Sequence, residues 1–163
     1  MRKVLTMAVV KNSEGMYGKY YVTDLKAPRF PPEFLERYKQ FGTRILWLDQ
    51  NVVPGAFQIN TSWYHHAMPE PIFAPEHVHP NDEVVGFFGS DPDRPEELNG
   101  EVEFTMEGET HLLTKSTMIF IPGGVRHLPL KLTRVDKPIF HFSICLSGAY
   151  VDENKDGRSI YDA

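Results

Sequence analysis

The tightest constraint on this chain is a group of metal-seeking side chains whose spacing suits a strand followed by a turn. Glu76-His77-Val78-His79-Pro80-Asn81-Asp82-Glu83 is one stretch, and Pro122-Gly123-Gly124-Val125-Arg126-His127 is its partner downstream. Side chains alternate faces along an extended strand, so His77 and His79 project to the same side. Pro80, Asn81 and Asp82 are turn formers, and a turn there returns Glu83 to that side. In the second stretch, proline and glycine mark a tight turn that ends one strand and aims the His127 imidazole. Three nitrogens and one oxygen at one spot make a site for a divalent transition metal ion such as Fe, Mn, Zn or Ni. A lone H-x-H is weak evidence. Joined to a glutamate at that offset and to a turn-borne histidine in the same domain, it becomes specific.

The pattern around these stretches is that of a β-protein. From Thr43 onward the apolar period is two, with candidate strands at 44–48, 57–65, 72–79, 83–88, 102–106, 110–114, 117–122, 128–132 and 138–146, separated by Gly, Pro and Asp turns. Many short strands with such punctuation predict an all-β sandwich or barrel. In 57–65, Phe57, Ile59 and Trp63 alternate with Gln58, Asn60 and Ser62; the apolar set is expected to face inward, and His65 shares its parity. Trp63, Phe104, Met106 and Phe120 are expected to fill the interior. Ahead of the strands, Pro31-Pro32 followed by Phe34, Leu35, Tyr38 and Phe41 at helical spacing, then Gly42, predicts a short amphipathic helix that covers one end of the core. The apolar runs 4–10 and 17–22 read as further strands. Residues 90–100, polar and rich in turn formers, read as an exposed loop with a turn of helix at 95–98, or alternatively as a lid.

The two motifs resemble those of the cupin superfamily: H-x-H-x-x-x-E at 77–83 and P-x-G-x-x-H at 122–127. The resemblance covers residues 71–131 and implies a single small antiparallel β-barrel of the double-stranded β-helix, or jelly-roll, type, with a metal inside. Pro71, Ser90, Ser116 and Lys131 depart from the pattern, and none of them is a proposed ligand. On this reading residues 1–147 form one cupin domain with an N-terminal extension, and 148–163 are a polar tail. Asp152-Glu153-Asn154-Lys155-Asp156-Gly157 in that tail matches the first half of a calcium loop, but position twelve is Ala163, so the tail reads as solvated.

With 163 residues, 41% hydrophobic and 12% aromatic, the chain is sized for one domain with a core. Net charge is −5 and Lys and Arg form no long run, which argues against nucleic acid as a partner. The run 4–10 is too short for a signal segment or a membrane span, and a single cysteine, Cys145, suits a reducing cytoplasm. Small cupins are often homodimers, and the resemblance carries that expectation here.

One carboxylate and three neutral imidazoles leave a divalent ion with net charge +1, which favours anionic ligands. Four protein ligands leave a six-coordinate ion two open positions, unlike a closed structural zinc site. His141, opposite the face of Phe140, Phe142, Ile144 and Leu146, and His65 are the candidate catalytic residues near the ion. His66 and His111 read as surface residues, and Arg126 as a surface or ligand-orienting group. The resulting expectation is a metal-binding cupin that acts as a dioxygenase, isomerase, decarboxylase or other lyase on a small anionic or oxygenated molecule. The alternative is a non-catalytic metal or small-ligand binder, a sensor or storage protein.

Overall fold

The computed structural model describes residues 9–72 and 76–147. Most of the run 4–10 and the whole tail with its calcium-type pattern lie outside them. The helix is α1, Pro32–Lys39. Proline in the first turn needs no N–H there, Glu33 stands at the positive end of the helix dipole, and Arg37 and Lys39 stand at the negative end. Tyr38 is buried on its inner face, and Phe41 follows two residues after the helix; both rings pack on Tyr64 at centroid distances of 6.5 and 5.7 Å, closing one end of the core as expected.

Eight strands follow: β1 Gly42–Leu48, β2 Gln58–Tyr64, β3 Glu83–Gly89, β4 Glu97–Met106, β5 Glu109–Lys115, β6 Thr117–Ile121, β7 His127–Val135 and β8 Ile139–Cys145. They form a five-stranded sheet in the order β1-β2-β8-β3-β6 and a three-stranded sheet in the order β5-β4-β7, with every pairing antiparallel. The named strands thus make two sheets. Two isolated antiparallel bridges, Met68 with Leu132 and His77 with His127, lay the segment after β2 along β7. The β4–β5 hairpin turns on Glu107 and Gly108, with φ of 46° and 80°, the left-handed pair that a two-residue hairpin needs. The buried cluster draws Val85, Phe87 and Ile139 from one sheet and Leu98, Val102, Phe104, Leu130 and Leu132 from the other.

Several expectations are corrected. In β2 the apolar set faces outward: Gln58, Ser62 and Tyr64 are buried, whereas Phe57 and Trp63 are 46% and 37% exposed. Alternation fixes which residues share a face and leaves open which face turns inward. Here the outer apolar residues pack along their own sheet, as Trp63 does edge-on against Phe140 at 5.3 Å. Phe120 is 58% exposed on the outer side of β6, whereas Phe104 is buried in the core and Met106 packs partly buried against it. Residues 17–22 hold a short 3-10 turn, Gly18–Tyr20, rather than a strand. Around residues 72–79 the described backbone makes the isolated His77 bridge and no regular strand. Residues 97–100 are strand, not helix, because Glu97 pairs with Lys115 of β5 and Gly100 with Val135 of β7.

Candidate metal centre

The two motifs are locked together by their turns. The Gly124 N–H donates to the His79 carbonyl at 2.9 Å, and the Gly123 N–H donates to Asp82 Oδ1 at 2.9 Å. Gly123 is required by close approach, since a Cβ there would lie 2.1 Å from the Pro80 carbonyl oxygen. Gly124 is required by its φ of +82°. The bridge between His77 and His127, with N–H to carbonyl distances of 3.0 and 3.1 Å, sets those two residues side by side although fifty positions separate them in the chain.

These contacts bring His77, His79 and His127 into one buried group whose nitrogen donors lie within 4.8 Å of one another. Ring centroids are 4.2 Å apart for His77 and His127, 4.9 Å for His79 and His127, and 5.7 Å for His77 and His79. Glu83, the first residue of β3, points into the group. Its Oε2 is 3.0 Å from His79 Nε2 and 3.2 Å from His127 Nε2, the latter not aligned as a hydrogen-bond donor. Its Oε1 accepts a short hydrogen bond from the Ser143 hydroxyl.

The other nitrogens fix the tautomers. His79 Nδ1 lies 2.7 Å from the Asn81 carbonyl and His127 Nδ1 lies 3.0 Å from the Val125 carbonyl. A carbonyl only accepts, so each Nδ1 carries the hydrogen and, in a neutral ring, each Nε2 keeps a lone pair. Two lone pairs then face one carboxylate oxygen. That arrangement calls for a cation among them. Protonating both rings instead would place two imidazolium ions on one carboxylate in a site where burial disfavours charge. The donor set, three imidazoles beside one carboxylate, with the far nitrogens of His79 and His127 tied to carbonyls, is compatible with a divalent transition metal.

The remaining candidates fall in different places. His141 is buried on the inner face of β8, two residues from Ser143, its ring between Tyr64 at 5.1 Å and Phe87 at 4.9 Å. Its Nδ1–H donates to the Gly86 carbonyl at 3.0 Å, and burial pushes its pKa down to about 4, so it is neutral at pH 7. His65, just past the end of β2, lies apart from this group; its Nε2 meets Thr43 Oγ1 at 3.2 Å, and its ring stands edge-on to the exposed His66. The inward parity assigned to it failed with the β2 face. His111 is exposed and pairs with Glu109 at 3.2 Å. Arg126 turns away to Glu107, with Nη2 to Oε2 at 3.1 Å, while its own N–H reaches Glu107 Oε1 at 2.8 Å; the pair steadies the turn that presents His127. Residues 90–100 are pinned by Asp91 to Lys137 at 2.9 Å and by Ser116 to the Pro95 carbonyl at 2.7 Å, beyond the end of β3 that lies opposite Glu83. Sequence reasoning passed over Ser143. The signal for Ser143 was its shared parity with His141 in β8.

No helix among the described residues is long and apolar enough to cross a membrane. No protein-family model matches the chain, and no curated protein matches it. Solved structures similar to it include a recombinant oxalate oxidase in complex with glycolate, at 14% identity and a TM-score of 0.47, covering 80% of this chain and 60% of that one. KdgF from Halomonas sp. is similar at 12% identity and a TM-score of 0.38, covering 63% of this chain and 76% of that one. The DMSP lyase DddQ from Ruegeria pomeroyi is similar at 22% identity and a TM-score of 0.38, covering 74% of this chain and 52% of that one. The chain thus spans from about half to three quarters of these neighbours' length. They are cupin-fold proteins, of the superfamily that the two motifs resemble.

Proposed function

We propose that the two sheets are the halves of one cupin barrel, and that the chain binds one divalent transition metal ion through His77, His79, Glu83 and His127. We infer further that it is a metal-dependent enzyme of dioxygenase, isomerase or lyase type acting on a small anionic or oxygenated molecule. The observation that carries the reading is the pair of Nε2 lone pairs, on His79 and His127, aimed at Glu83 Oε2. An ion held there would supply a Lewis acid that stabilises negative charge on a bound oxygen. The protein's own part is orientation: Asn81 and Val125 hold two imidazoles by their far nitrogens, and Ser143 holds the carboxylate. His141, neutral and with Nδ1 committed to Gly86, packs between Tyr64 and Phe87 two residues from Ser143.

Calorimetric titration of metal-free protein with Fe, Mn, Zn and Ni tests this. One ion per chain is expected. His127→Ala and Glu83→Gln should each weaken binding by more than the ~10–100-fold typical of losing an outer hydrogen-bond partner, whereas His66→Ala and His111→Ala should leave it unaltered. A His127 variant that binds as tightly as the parent would overturn the site.

A further inference from the structure

Gln58 opens β2 with its side chain wholly buried, yet neither Oε1 nor Nε2 has a hydrogen-bond partner among the described residues. Its backbone is satisfied, since the N–H donates to the Ser147 carbonyl at 2.8 Å. A buried carboxamide that spends none of its hydrogen bonds within the fold is costly and calls for a reason. Nearby polar groups on the same face behave differently: Ser62 accepts from the Tyr38 hydroxyl at 2.6 Å, and Ser143 donates to Glu83.

The sheet register supplies the reason. Gln58 stands opposite Cys145, Cys145 stands opposite Glu83, and Glu83 stands opposite Ile121. Directly paired residues of antiparallel strands project to the same face, so these four form one transverse row across the inner side of the sheet. Gln58 is therefore two strands, roughly 10 Å at the backbone, from Glu83, with Cys145 between them in the row. The buried amide thus belongs to the same inward-facing row as Glu83.

We propose that Gln58 reads the ligand held at this cluster, and that the ligand is a small 2-hydroxycarboxylate; this rests on the metal reading above. A net positive ion favours an anionic oxygen, and two open positions favour a chelating pair, which a carboxylate and its neighbouring hydroxyl provide. The carboxamide offers what such a ligand lacks after chelation. Oε1 accepts the proton of the chelated hydroxyl. A simple carboxylate has no proton for Oε1, and an ether in place of the hydroxyl has none either. Sites built to pair a hydroxyl discriminate strongly against analogues without it, because the protein group is then left unpaired.

The test uses full-length protein loaded with Co(II), whose visible absorption reports ligand binding, titrated with lactate, 2-methoxypropionate and propionate. The parent should bind lactate at least about tenfold more tightly than either analogue. Gln58→Leu should lose that ratio while keeping its cobalt affinity, and its metal-free form should melt at a higher temperature, because the leucine removes an unpaired buried amide. The proposal fails if Gln58→Leu keeps the ratio, if the parent shows no preference for lactate, or if both Gln58→Leu and Gln58→Met melt lower than the parent, which would reveal a structural role for the amide. A parent that takes up no cobalt would instead remove the metal reading, and this inference with it.

Discussion

Both sheets bury apolar residues, but the five-stranded sheet also buries more of the polar ones. The three-stranded sheet turns Leu98, Val102, Phe104, Leu130 and Leu132 inward, each almost or wholly inaccessible, and keeps its charges outside in pairs such as Lys131 with Glu103 at 2.9 Å. The five-stranded sheet turns inward Gln58, Ser62, Glu83, His141 and Ser143, and leaves Phe57, Trp63, Met118 and Phe120 in contact with solvent. Burying polar groups costs free energy unless each is paired, so a sheet that does this has accepted a penalty the other avoids. The three-stranded sheet, although β7 opens with His127, is the more apolar wall, and its partner carries more of the buried polar groups. Such a division predicts that equal-sized substitutions in the two walls will fail in different assays.

The largest effect on folding should come from the apolar wall. Leu132 is fully buried between β4 and the bridge to Met68, so Leu132→Ala removes methyl groups and leaves a cavity among residues already close-packed. A loss of about 2–5 kcal/mol is expected in urea denaturation, or roughly 2–4 °C in melting temperature for each kcal/mol, with metal stoichiometry intact in the molecules that remain folded. A loss below about 1 kcal/mol would show that this wall is not the stabilising one.

The second effect is a pH dependence that belongs to the polar wall. His141 has its pKa brought down to about 4 by burial, against about 6.5 for a free imidazole. Between those values the unfolded chain binds a proton that the folded chain refuses. Stability from this group is therefore present above pH 6.5 and is lost as pH falls toward 4, by at most about 3 kcal/mol. Comparing metal-free parent with His141→Gln isolates it, because Glu83 and the other carboxylates titrate in both. The difference in unfolding free energy between the two should shift steadily across that window; a constant difference would mean that His141 takes up its proton in the folded chain as readily as in the unfolded one.

How much of this could be read in the chain follows from the range of the interactions. The placement of His77, His79 and Glu83 was legible because alternation and a Pro-Asn-Asp turn are local, and that of His127 because Pro122, Gly123 and Gly124 announce its turn. The inward face of β2 was not legible. Both of its faces alternate cleanly, and the choice between them depends on Tyr38 and the neighbouring strand β8, which no local pattern encodes. The opening of β4 was hidden for a similar reason: Glu97 and Asn99 look like loop residues until β7 pairs with Gly100. His65 was misplaced by inheritance from the β2 error, and Ser143, though it shares the face of His141, was overlooked because nothing local shows that Glu83, sixty residues earlier, lies within its reach.

The smallest effect should be the sharpest test of the contrast. Ser143 lies on the inner face of β8 and donates its hydroxyl hydrogen to Glu83 Oε1, which leaves Oε2 to face His79 and His127. Ser143→Ala removes one oxygen and adds no bulk, so packing changes little, and the lost hydrogen bond to a charged acceptor should cost metal-free protein about 1.5–3 kcal/mol or less. The carboxylate then loses the contact that orients it, and it gains freedom to rotate away from the imidazoles. Metal affinity should drop by about 10–100-fold, the range for partners that orient a ligand without touching the ion. Replacing Thr105, also on a buried strand position but in the three-stranded sheet and bonded to Thr110 at 2.8 Å, with Ala removes a comparable hydroxyl hydrogen bond and should leave metal affinity where it was. Equal losses of affinity in the two variants, measured by calorimetry, would mean that the ion responds to general loosening of the fold, and the separation of a stabilising wall from a chemical one would be lost.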